Sequence, residues 1–161
     1  MIPARRPADT AGQLDRRPVA ALLAIANRCL TEMSNKRTYQ ASCHCGAVRF
    51  RFRSEEITKG CRCNCSICVR KGIVTSATYL PPEDLEQIEG TSSLALYQFG
   101  DKDVNHHFCR TCGICPFTTV AAVPPTYGGT AKPGYYRINL GCVESLDVYA
   151  LDIEIIDGRS L

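Results

Sequence analysis

SCHCGAVRFRFR, residues 42–53, is the stretch on which the fold turns. Its first half, Cys43-His44-Cys45-Gly46, sets two thiols one residue apart beside a glycine that permits a tight turn, the local arrangement by which short loops present sulfur to a metal. Its second half alternates Val48, Phe50 and Phe52 with Arg49, Arg51 and Arg53, the period of two that gives a strand one buried and one wet face. A ligand pair that runs straight into an amphipathic strand predicts a small β domain whose modest core is stapled by a metal.

Working outward, two more cysteine groups appear: Cys61-Arg62-Cys63-Asn64-Cys65-Ser66-Ile67-Cys68, and Cys109-Arg110-Thr111-Cys112-Gly113-Ile114-Cys115. The chain of 161 residues holds 11 cysteines, an odd number, so a fully paired disulfide framework within one chain is impossible. Neighbours two or three residues apart share a metal more readily than they bridge distant strands, which points to a reducing compartment and a cytoplasmic protein. The apolar run at 19–26 falls short of the ~20 residues of a membrane span and lacks a signal-peptide cleavage pattern. The formal charge of +3 is too small to argue for nucleic acid or an anionic membrane, and it is concentrated at the N-terminus, where residues 1–37 carry seven Lys/Arg against three acids.

Residues 1–37, rich in Arg, Ala and Pro with one short helix expected over 19–30, read as an N-terminal extension, either disordered or a misannotated start. Residues 38–161 read as the metal-binding domain. There the pattern predicts strands at 73–79, 94–99, 105–108, 135–140 and 149–156, with Gly, Pro and Asp at the breaks. Helix is scarce: Pro81 to Asp84 suit the start of one short turn through Leu85 to Ile88. The loop at 120–134 is a candidate cleft rim, and Tyr127, Tyr135 and Tyr136 either line it or pack in the core.

The motifs SCHCGAV, C-x-C-S-x-C-x-R from Cys63 to Arg70, and HFCxxCG from His107 to Gly113 together resemble the glutathione-dependent formaldehyde-activating enzyme (GFA) family, whose domain is shared with centromere protein V. The resemblance covers roughly residues 38–157. It implies a mainly β, Mss4-like fold of small antiparallel sheets and two Zn2+ per chain, one held by Cys43, Cys45, Cys109 and Cys112 and the other by Cys63, Cys65 and Cys68. A site with three protein ligands keeps a fourth position for water or substrate. Three thiolates already outweigh the 2+ ion, so such a site suits a bound thiolate nucleophile better than a strong Lewis acid. The implied partners are glutathione and formaldehyde or another small aldehyde, and the implied activity is that of a carbon–sulfur lyase of S-(hydroxymethyl)glutathione synthase type, with Cys63, Cys65 and Cys68 as the catalytic set.

Other readings stay open on the residues alone. Cys61, which alternates with Cys63 and Cys65, could close the second site. Cys115 could replace a ligand or be a small buried apolar residue, and Cys29 and Cys142 have no partner in a motif. His44, His106 and His107 are read as packing or hydrogen-bonding residues rather than ligands. Arg70, Lys71 and Arg110 are either solvated charges or anchors for the carboxylates of glutathione. A noncatalytic zinc-stabilised binding module is the alternative to the enzyme, while a nucleic-acid binder fits poorly with the near-neutral domain.

Overall fold

The arginine–phenylalanine alternation does build a strand. In the computed structural model, which describes residues 35–123 and 131–160, β1 (Arg37–Ser42) and β2 (Arg49–Ser54) form an antiparallel hairpin around the first cysteine loop. Val48, Phe50 and Phe52 are buried, while Arg49 and Arg51 are exposed. Register places Tyr39 opposite Phe52, and their rings stack at 5.4 Å.

The segment after Asp84 corrects an expectation. Pro82–Asp84 form a single 3-10 turn and Leu85–Glu89 continue as a strand, not a helical turn. Two forces override the local helix-start signal. Asp84 is buried and held by Lys36 at 2.5 Å, with the Arg53 guanidinium 3.6 Å away. The open edge of β2 needs backbone partners, and Leu85–Glu89 supplies them, setting Ile88 opposite Phe50 and Leu85 opposite Phe52.

Two further sheets complete the architecture. One contains β3 (Lys59–Cys63), β4 (Thr75–Ser76) and β10 (Asp152–Ile156). Its order is β10-β3-β4, and β10 runs parallel to β3, an exception to the otherwise antiparallel pairing. The other is the antiparallel series β6 (Leu94–Tyr97), β7 (Val104–Cys109), β8 (Phe117–Val120) and β9 (Tyr136–Ile138). With β5 assigned to Leu85–Glu89, the fold is mainly β with small sheets. Strands β3 and β8 carry no strand-like alternation and were not expected from the sequence. The 73–79 run yields only two strand residues, and 149–156 begins with a 3-10 turn, Val148–Ala150. The expected helix at 19–30 and residues 124–130 of the 120–134 loop, Tyr127 included, lie outside the described residues.

Phe50 of the first sheet meets Phe117 of the third edge-on at 5.4 Å, and Phe117 meets Tyr136 at 5.5 Å. This aromatic seam joins Val74, Leu80, Ile138 and Leu140 in the core. Each such side chain stabilises the fold by about 1.5–3 kcal/mol through burial. Among the described residues no helix is long and apolar enough to cross a membrane.

Gly90, just after β5, has φ +71°, and a Cβ there would lie 1.8 Å from the carbonyl oxygen of Ala47 in the first cysteine loop. Gly90→Ala should therefore destabilise the domain by more than ~2 kcal/mol, since left-handed strain alone costs roughly 1–2 kcal/mol. An unchanged urea midpoint would contradict this close approach.

Candidate metal centres

Two similar turns face each other at the first cysteine cluster. In the β1–β2 loop, Cys43 N–H donates to Val48 O at 2.9 Å and Gly46 N–H to Cys43 O at 3.0 Å, with Gly46 at φ +74°. At the end of β7, Cys109 N–H donates to Ile114 O and Gly113 N–H to Cys109 O, both at 2.8 Å, and Gly113 has the same φ. The left-handed glycine in each loop is what lets the chain fold back over its own sulfurs.

The sulfurs of Cys43, Cys45, Cys109 and Cys112 all lie within 4.8 Å of one another. The Cys43–Cys45 and Cys45–Cys109 separations are 3.6 and 3.7 Å. A zinc tetrahedron with bonds of ~2.3 Å has sulfur–sulfur edges of about 3.8 Å, so the cluster has the dimensions of such a site. Cys43 and Cys109 pack with Val48 as a small core of their own, and the Val48 N–H donates to Cys43 Sγ at 3.3 Å.

Crowded thiols cannot all ionise. The Ala47 N–H favours the Cys45 thiolate, yet burial and the sulfurs of Cys43, Cys109 and Cys112 outweigh it and push Cys45 up to about 11. Backbone N–H groups of Ile114 and Cys45 pull Cys112 the other way, to about 6. A divalent cation is the species that would satisfy all four sulfurs together.

The second cluster joins the end of β3 to a short helix, α1 (Ser66–Lys71). Cys63 closes the strand, Cys65 precedes the helix, and Cys68 lies in its first turn, with all three sulfurs within 4.8 Å. The helix ends on Gly72 in the left-handed conformation, whose N–H returns to Cys68 O. Burial, then the neighbouring Cys65 and Cys63, pushes the Cys68 thiol up to about 12.

Residues after β10 clamp this loop. Asn64 N–H donates to Ile156 O at 3.0 Å, Asn64 Nδ2 to Asp157 Oδ1 at 2.7 Å, and Arg159 N–H to Asn64 Oδ1 at 2.9 Å. Gly158 lies so close that a Cβ would sit 2.4 Å from Cys63 Sγ. Nothing in the cysteine spacing signals that tail, which lies 93 residues from Asn64.

The remaining cysteines separate cleanly. Cys61 is 2% exposed and joins neither cluster. Cys115 is also buried, accepts from Lys71 Nζ at 3.4 Å and faces Phe117 O at 3.6 Å. Burial pushes the Cys142 thiol up to about 12. The ten described cysteines are all free thiols; Cys29 lies outside the described residues. His44 is exposed. His107 pairs its Nε2 with Thr119 Oγ1 at 3.1 Å, and Arg110 donates from Nε to Leu94 O, so both have local structural partners.

A family model described as glutathione-dependent formaldehyde-activating enzyme matches residues 38–156. The chain belongs to the GFA family. The match spans both cysteine clusters and all but the first residue of β1. A crystal structure of a Rhodobacter sphaeroides protein, a structural genomics target, is 28% identical and superimposes with a TM-score of 0.56, covering 71% of this chain and 99% of the other. GFA membership implies a formaldehyde-activating or related function, and the two cysteine clusters can each hold a metal ion such as zinc.

A cavity of about 400 Å³ is lined by residues of α1, β6, β7 and the segment that follows Cys112. Ile67, Arg70 and Lys71 of α1 form one wall, and Tyr97, His106 and Cys115 belong to the opposite side. Ile67 lies between Cys65 and Cys68 in sequence and Gly113 follows Cys112, so lining residues neighbour both cysteine groups in sequence. No sequence pattern signals the contact between two of its lining residues, Lys71 Nζ to His106 Nδ1 at 2.7 Å, because they are 35 apart and share no motif.

Proposed function

We propose that this chain is a zinc-dependent enzyme of S-(hydroxymethyl)glutathione synthase type, joining a thiol, glutathione, to formaldehyde in a reducing, cytoplasmic setting. Unequal donor sets carry the reading: one cluster offers four sulfurs, the other three. In this reading Cys43, Cys45, Cys109 and Cys112 hold a structural ion, and Cys63, Cys65 and Cys68 hold the catalytic one. Zinc at the three-cysteine site would supply the positive charge that keeps a bound thiol ionised at neutral pH.

The protein's own groups do the rest. The Asn64 clamp and the bare Gly158 fix the loop that carries Cys63 and Cys65. Arg70 and Lys71 bring positive charge to the cavity wall, and among the described residues no carboxylate lies within 4.0 Å of either. Lys71 is held by His106 and Cys115, whereas Arg70 spends one donor on Ser66 O and keeps the rest of its guanidinium for a carboxylate-bearing thiol. The reaction balances without redox change: sulfur bonds to the carbonyl carbon, the C=O π pair moves to oxygen, and that oxygen takes up a proton to give S-hydroxymethylglutathione.

The test is exchange NMR on zinc-loaded full chain with glutathione and carbon-13 formaldehyde. The enzyme should raise the formaldehyde–adduct exchange rate above buffer in proportion to protein. A rate equal to buffer, with two zincs bound, would favour a noncatalytic zinc-stabilised module.

A further inference from the structure

His106 is the one imidazole in the cavity wall whose surroundings have no purely structural explanation. It is 6% exposed, on β7, and its ring stacks on Phe99 at 5.6 Å and 17°. Nδ1 meets Lys71 Nζ at 2.7 Å, and the ammonium can only donate, so Nδ1 must accept and Nε2 must carry the ring proton. Among the described residues Nε2 has no hydrogen-bond partner, whereas Nε2 of the adjacent His107 is engaged by Thr119. Lys71 is anchored by a second contact to Cys115 Sγ and meets no carboxylate among the described residues.

Lys71 lies three residues beyond Cys68 on α1, hence on the same side of the helix. Lys71 and His106 line the same cavity as Ile67, the residue between Cys65 and Cys68.

We propose that Lys71 and His106 form a proton relay for the aldehyde: His106 Nε2–H hydrogen-bonds the carbonyl oxygen and delivers its proton as sulfur adds to carbon, while Nδ1 takes a proton from the Lys71 ammonium. The bookkeeping closes. One C–S bond forms, the C=O π pair becomes an O–H bond, Lys71 is left as the neutral amine, and water reprotonates it after the product leaves. Burial, and next the Lys71 charge, holds His106 down at about 4, so the ring is neutral at physiological pH and offers an N–H rather than binding an extra proton. A neutral imidazole aimed at a carbonyl is an established electrophilic device.

This inference rests on the proposed thiol–aldehyde addition, and the experiment separates the two. Long-range proton–nitrogen NMR on zinc-loaded, nitrogen-15-labelled protein reads the tautomer directly, without any substitution. The expected result is the Nε2–H form in the wild type, with loss of that preference in Lys71→Met. In the exchange assay, His106→Ala should lower kcat by ~100-fold or more, as removal of a single well-placed donor does. Its KM for glutathione should stay within about threefold, and His106→Gln, which retains an N–H donor, should recover part of the loss. An Nδ1–H tautomer in the wild type, or wild-type kcat in His106→Ala, overturns the relay while leaving the addition reaction standing. A wild type that does not accelerate the addition overturns both.

Discussion

Cys109→Ser is expected to leave no folded domain at 37 °C. Cys109 is fully buried, ends β7, and shares a cluster with Cys43 and Cys45 from the β1–β2 loop. The sulfur–sulfur contact from Cys45 to Cys109 closes a separation of 64 residues and thereby ties the first sheet to the third. Structural zinc in small domains contributes about 10–16 kcal/mol of apparent binding energy, against a net stability of about 5–15 kcal/mol for an ordinary domain. The two are of the same size, so losing most of that contribution is enough to unfold a domain of ordinary stability. The measurement is circular dichroism melting with zinc content read in parallel. A Cys109→Ser variant that melts within a few degrees of wild type would show that the core stands without the first cluster.

Cys65→Ser is expected to do the opposite: abolish the second zinc and the thiol–aldehyde exchange, bringing the rate to that of buffer, while the melting temperature falls by no more than a few degrees. The difference is one of chain topology. Cys63, Cys65 and Cys68 lie on one continuous stretch, so a metal there closes only a short loop. The loop-closure contribution is smaller than at the first cluster by roughly 2 kcal/mol. The Cys63–Cys65 loop is also held independently by Asn64 through Ile156, Asp157 and Arg159. Native mass spectrometry should show one zinc per chain in this variant and two in the wild type. Full activity in Cys65→Ser would remove the second cluster from the chemistry.

Much of this was legible in the residues because metal-ligand spacing and strand alternation are local patterns. The glycines at 46 and 113 sit where the turns need φ > 0, and the arginine–phenylalanine run could hardly serve as anything but a half-buried strand. Where local signals misled, tertiary demand was the cause. Pro82, Glu83 and Asp84 look like a helix start, but the unpaired edge of β2 and the buried Asp84 ion pairs make the following residues a strand. The cysteine-rich β3 carries no strand-like pattern, and its pairing with β10 joins segments some 90 residues apart in parallel, which no short window can anticipate.

By itself, then, the sequence determined the family, the mainly β architecture and the short turns that carry the cysteine pairs, since each turn is built from contiguous residues. Tertiary structure alone decided that Cys61 and Cys115 stand apart from the clusters, that the segment after β10 clamps the second one, and that Lys71 meets His106 at the edge of a cavity. Those outcomes depend on which strands pair and how tightly sheets pack, interactions between residues tens of positions apart, and no spacing rule encodes them.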